Sequence, residues 1–143
     1  MPPSYARELH EVNLSKGAHA TTAIEGNTLT EEEVAAIVRH TGPSSEGDYR
    51  VREVENVVRA YNGVLERLQL GQAPSLTPAL IQEFNREVLD GLDLAPEVQP
   101  GIVRHHSVTV GPYRGPDWER CEELVQKMCD WLNGPSFSGD GGT

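Results

Sequence analysis

The residue in this chain that most needs a chemical explanation is Glu25. The run Ala18-His19-Ala20-Thr21-Thr22-Ala23-Ile24 carries a helix up to it, and Gly26 follows. Glycine suits a helix end because, lacking a Cβ, it enters the left-handed region without a clash. A second helix starts almost at once, with Thr30 as its cap, Glu33 as the other half of a capping box, and Leu29 with Val34 as a hydrophobic staple. Glu25 therefore closes one helix and is pinned by the start of the next. A carboxylate there faces the negative end of the helix dipole, at a cost of roughly a few tenths of a kcal/mol. A cation, and an arginine above all, is its natural partner, since guanidinium and carboxylate form paired, charge-assisted hydrogen bonds. Thr21 sits one turn earlier on the same face, where its hydroxyl can orient the carboxylate. Taken by itself, the same pattern also describes a solvated acid at a helix end.

Other reactive residue types offer less. His105 and His106 are neighbours in an extended stretch, so their side chains point to opposite faces, and His10 and His19 lack ligand spacing with them. No metal site is expected. Cys121 and Cys129 lie about two turns apart on one expected helix, too far for a disulfide, whose Cα atoms come within about 7 Å. They are expected to be core or half-buried thiols in a reducing, cytoplasmic protein. The acid runs Glu31–Glu33 and Glu122–Glu123 are helix-start chemistry. There is no glycine-rich phosphate loop and no nucleophile elbow, so no residue is assigned a catalytic role.

The elements that position these residues follow from periodicity. A weak helical pattern runs through Tyr5, Leu9 and Val12 after a Pro-rich, fraying start, and Gly17 is a candidate break. The helix that ends at Glu25 is therefore expected to begin near Leu14 or Ser15. The next, Glu31 to about His40, shows Val34, Ile37 and Val38 on one face. A loop follows through Asp48. Val51, Val54, Val57, Val58, Tyr61, Leu65 and Leu68 then recur at helical steps, with Gly71 at the stop. Thr77-Pro78 reads as cap and first position of a helix to about Leu89, burying Leu80, Ile81, Phe84, Val88 and Leu89. Between Pro96 and Pro116 the prolines and glycines forbid a long helix, and the β-branched stretch Val103–Val110 predicts a small hairpin near Ile102–Gly111. A last helix, Asp117–Asn133, carries Trp118, Cys121, Leu124, Val125, Met128, Trp131 and Leu132 on one side, with both tryptophans expected in the core. Residues 134–143 are a Gly/Ser-rich tail or loop. The expected fold is all-α, five to six helices with one small β-hairpin, in a single domain over residues 1–133.

Composition narrows the function classes. The chain of 143 residues has 37% hydrophobic and only 6% aromatic residues, a lean but sufficient supply for one core. A formal net charge of -10 argues against a nucleic-acid partner, which calls for a basic face. No apolar run approaches the ~18 residues of a membrane span.

Thr21, Glu25 and Gly26, continued by Asn27-Thr28-Leu29-Thr30, resemble the inhibitory motif [Ser/Thr]-x-x-x-Glu-[Gly/Asn] of Fic-domain proteins. These proteins transfer a nucleotide moiety, most often AMP from ATP, to hydroxyl side chains of target proteins. In the family the glutamate pairs with an arginine of the catalytic motif and blocks productive placement of the ATP γ-phosphate. A second stretch is similar as well. Pro100-Gly101-Ile102-Val103-Arg104, then Val108-Thr109-Val110-Gly111, then a helix ending in Trp131-Leu132-Asn133, has the order of the Fic core. There the strand segment is the flap, which holds an extended stretch of the target by main-chain pairing, a mode indifferent to sequence. The two matches cover about residues 15–133.

The resemblance implies a Fic-like helical domain with Thr21, Glu25 and Gly26 as inhibitory residues and Val108, Thr109 and Val110 docking the target. It implies ATP and Mg as cofactors of the complete family protein. The family's His-Pro-Phe-x-x-Gly-Asn-Gly-Arg signature does not occur in this sequence. The chain is thus expected to be the N-terminal, self-inhibitory and target-docking part of an adenylyltransferase, inactive and without cofactor by itself. Its expected partners are a Fic catalytic half, in cis or in trans, and a target protein. Helices lacking their usual neighbours predict self-association into a homo-oligomer. The alternative is a non-catalytic helical interaction module, or an inhibitor acting in trans on a Fic protein. A catalytic signature encoded beyond Thr143 would decide for the first.

Overall fold

The computed structural model describes residues 3–42, 46–72, 75–135 and 137, with side chains from residue 8 onward. Part of the expected loop after His40, Pro74 of the expected linker and most of the expected Gly/Ser-rich tail lie outside the described residues. Five α-helices and one two-stranded antiparallel hairpin make up the regular structure of the described residues, so the fold is all-α with a small hairpin.

α1 spans Pro3–Ile24 without a break at Gly17. A mid-helix glycine costs about 1 kcal/mol relative to alanine. Here the helix buries Ala18 and packs Leu14 against the core on either side of Gly17, and that burial outweighs the local preference. α2, Glu31–Val38, opens with the expected capping box: Glu33 N–H donates to Thr30 Oγ1 at 3.3 Å, and Thr30 N–H donates to Glu33 Oε2 at 2.7 Å. It stops short of the expected end because His40 takes a left-handed φ of 56°. Its N–H donates to Ile37 O, and that of Thr41 donates to Ala36 O, so the two bonds close the helix.

α3, Tyr49–Gln69, is capped by Asp48, whose carboxylate accepts Arg50 N–H at 2.9 Å. Gly71, φ 70°, ends it as expected. α4, Pro78–Val88, starts from Thr77, which accepts Leu80 N–H at 3.2 Å. The hairpin pairs β1, Thr109–Val110, with β2, Tyr113–Arg114. It lies later than the expected Ile102–Gly111, and residues 102–108 form bends and irregular structure instead of a strand. A 3₁₀ turn, Trp118–Arg120, leads into α5, Cys121–Leu132.

The chain divides into two compact units. The first holds α1, α2, α3 and residues Glu87–Asp93. Its core is one cluster of Ala18, Leu29, Val34, Ile37, Val51, Val54, Val57 and Val58. Asn56, fully buried, donates to Val88 O at 3.1 Å and Asp90 O at 2.8 Å and accepts from Arg59, so the one polar side chain deepest in this unit is satisfied.

The second unit holds residues 78–86 of α4, the hairpin and α5. Its buried apolar side chains are Leu80, Cys121 and Cys129. Trp118 and Trp131, expected in the core, are 37% and 58% exposed. Trp118 meets His105 edge-on with ring centres 5.5 Å apart, and Trp131 meets Phe137 at 5.0 Å.

Candidate functional site

The turn after α1 is built as its residues dictate. Gly26, φ 94°, donates its N–H to Ala23 O at 3.0 Å, and Asn27 donates its own to Thr22 O at 3.0 Å. These two bonds are the Schellman closure of a helix, and they leave Glu25 as the capping residue at the negative end of α1. Thr22 is buried and donates its hydroxyl to Ala18 O at 3.0 Å. That bond turns one threonine of the pair inward and leaves Thr21 on the surface, its hydroxyl 3.4 Å from the Tyr61 hydroxyl. The sequence places Thr21 beside Glu25, whereas its hydroxyl meets Tyr61 of α3.

The Glu25 carboxylate is exposed and makes no hydrogen bond or ion pair among the described residues. It lines a cavity of about 400 Å³ together with Thr21, Tyr49, Glu53 and an apolar wall that includes Val57 and Leu92. Partial burial and the nearby Glu53 and Glu25 carboxylates push the Tyr49 phenol above its usual range. Two carboxylates thus face one small space whose lining carries no Lys or Arg, and a positively charged group is the guest that this field favours.

Asn27 holds the turn in place. Its Oδ1 accepts Leu29 N–H at 3.0 Å, and its Nδ2 donates to Arg50 O at 3.0 Å and to Glu53 Oε2 at 2.6 Å. Thr28 adds a tie by accepting from Arg50 Nη1 at 3.2 Å. The sequence marks Asn27 as the continuation of the motif and assigns it no role, and it does not mark Glu53 or Tyr49. The signal for Asn27 was its place directly after a glycine at a helix stop, where an asparagine side chain can mimic a turn.

The expected flap residues sit in the second unit. Thr109 and Val110 form β1, and Val108 lies just outside it but accepts Gly115 N–H at 2.9 Å, extending the pairing. Val110 is 70% exposed, and the hairpin presents an open edge. Arg104 fastens its base by donating to His106 O and Pro116 O. Gly101, φ 77°, donates to Asn85 Oδ1 at 2.8 Å, and a Cβ at that position would come within 3.0 Å of Gln82 O. Asn133 exchanges two bonds with Leu76, Nδ2 to O at 2.6 Å and N–H to Oδ1 at 3.0 Å. The motif residues Gly101, Arg104 and Asn133 are therefore structural fasteners of this unit.

A larger cavity, about 720 Å³, runs along α3 past Arg52, Asn56, Arg59 and Glu66. Its lining mixes arginines with glutamates and contains none of the residues expected to act. Among the described residues no group of three or more His, Cys, Asp or Glu is gathered as a metal ion requires, and no helix is long and apolar enough to cross a membrane. No protein-family model matches the chain, and no solved structure matches it.

Proposed function

We propose that the chain is the N-terminal regulatory and target-docking part of a Fic-type protein adenylyltransferase, acting in the cytoplasm. The observation that carries this reading is Glu25: an unpaired carboxylate at the closed end of a helix, facing a small cavity shared with Glu53. Its chemistry suits capture of a guanidinium. An arginine paired there is withdrawn from the γ-phosphate of ATP, and transfer of AMP to a protein hydroxyl is held back. The exposed hairpin edge at Thr109–Val110 is the element that offers main-chain pairing to a target segment. ATP and Mg belong to the catalytic half, which supplies the histidine, the metal-binding acid and the arginine.

The test is transfer of labelled AMP. The chain alone, with ATP, Mg and candidate targets, gives no label. Added to a Fic catalytic domain stripped of its own inhibitory helix, it suppresses labelling. Label that depends on this chain alone, or labelling unchanged by a large excess of it, contradicts the reading.

A further inference from the structure

Glu25 is exposed, sits on a surface turn and gains nothing from its own hydrogen bonds, so something else must fix where its carboxylate stands. The backbone on its C-terminal side is tied to α3 by two side chains, Thr28 through one bond from Arg50 and Asn27 through two. Asn27, half-buried, uses both ends of its carboxamide: it accepts from Leu29 within the turn and donates to Arg50 O and Glu53 Oε2 on the first turns of α3. The Glu53 bond is short and charge-assisted, the stronger kind. Glu53 and Glu25 line the same cavity. One amide therefore anchors the Glu25 turn to α3 and also holds the second acid of that cavity.

We propose that Asn27 is the positioning residue of the inhibitory turn, and that the Asn27–Glu53 bond sets how strongly Glu25 inhibits. The proposal rests on the inhibitory reading of Glu25. With the bond closed, the Gly26–Leu29 backbone is tied to α3 and the carboxylate is presented in one place. With it open, the turn keeps its Schellman closure and its ties to Arg50 but loses its anchor to Glu53, and the carboxylate samples a wider range. A pairing that depends on two parallel hydrogen bonds loses strength steeply with such freedom. The bond also gives the Glu53 carboxylate a donor on the side of the cavity it shares with Glu25.

The test compares variants of the full chain as inhibitors of the same Fic catalytic domain, each at equal folded concentration. Asn27→Ala is expected to weaken inhibition about tenfold, equivalent to about 1.4 kcal/mol. Thr30→Ala removes a cap in the same turn at a similar cost in stability and is expected to change inhibition less than about twofold. The exchange Asn27→Asp with Glu53→Gln restores a donor–acceptor pair with its polarity reversed, and is expected to recover most of what Asn27→Asp alone loses. A merely structural role does not produce that recovery. Relief by Glu25→Gly with none by Asn27→Ala overturns the latch and leaves the inhibitory reading standing. Relief by neither overturns both. Equal relief by Asn27→Ala and Thr30→Ala, without recovery in the exchanged pair, reduces Asn27 to ordinary turn stability and overturns the proposal.

Discussion

The two compact units use the same kind of sequence to different ends. In the first, the apolar stripes of α1, α2 and α3 meet, and eight side chains form one buried cluster. In the second, α4 and α5 carry equally clear stripes, yet the buried apolar side chains are Leu80, Cys121 and Cys129, while Ile102, Tyr113, Met128 and Trp131 remain exposed. Amphipathic spacing says which face of a helix seeks burial. It does not say whether a partner face is there to provide it. The comparison also divides the proposed roles: Glu25 stands on the unit with the larger buried cluster, and the hairpin edge belongs to the unit with fewer buried apolar side chains.

The sharpest way to break this contrast is by truncation of matched side chains. Val54→Ala, in the fully buried stripe of α3, should cost about 2 kcal/mol and lower the melting temperature by roughly 4–8 °C. Trp131→Ala removes a larger side chain, but one already in contact with water, and should cost less than about 1 kcal/mol. A loss for Trp131→Ala as large as that for Val54→Ala would mean that the second unit has a core of its own.

Association sharpens the same contrast. Exposed apolar area left in water forgoes roughly 25 cal/mol per Å², and contiguous patches of it drive self-contact. Sedimentation should show the wild type associating with rising concentration, and Met128→Lys with Trp131→Lys should shift it toward monomer. A wild type that stays monomeric at high concentration, with a sharp melting transition, would contradict this expectation.

Acid should act on helix starts. Backbone and side-chain bonds from Thr30 hold the Glu33 carboxyl below its usual range, and Arg50 does the same for Asp48. A carboxyl with a lowered folded pKa stabilises fully above its unfolded value and loses that contribution as pH falls through the folded one. Stability of the first unit should thus decline below about pH 4, the usual carboxylate range. Thr30→Ala should flatten the part of the decline due to Glu33. In the second unit Glu123 is lowered by Lys127, so Lys127→Ala should flatten its share. Stability independent of pH between 5 and 2, followed by urea melts in dilute buffers, would remove these caps from the account.

The smallest expected effect is the stability change at Glu25. Glu25→Gln removes a charge from the negative end of α1 and should stabilise by about a few tenths of a kcal/mol. A clear loss would mean that the carboxylate has a partner within the chain.

Much of this fold was legible because short-range chemistry decides it. The Thr30–Glu33 box, the Thr77 cap and the Gly26 and Gly71 stops depend on residues a few positions apart, and each sits where its sequence neighbours put it. The failures are longer-ranged. Continuity of α1 through Gly17 depended on burial of Ala18 against other helices. The end of α2 depended on His40 accepting a left-handed turn that sequence usually assigns to glycine. Trp118 and Trp131 have the spacing of core residues, but spacing carries no information about whether a facing surface is there to cover them. For the site, Glu25 and Gly26 could be read directly and Asn27 had a local signal after its glycine, whereas Tyr49 and Glu53 reach the site from α3 and had no local pattern to mark them.

The central claim is that Glu25 is an arginine-capturing inhibitor and not an ordinary helix-end acid. The direct measurement is auto-modification of a Fic catalytic half joined to this chain, comparing wild type, Glu25→Asp and Glu25→Gly at equal folded concentration. If the captured pair is worth ~3 kcal/mol, Glu25→Gly should raise the rate on the order of a hundredfold, at about 1.4 kcal/mol per decade. Glu25→Asp, which reaches less far, should release only part of it. Equal rates for all three would leave Glu25 a solvated acid and would contradict the account.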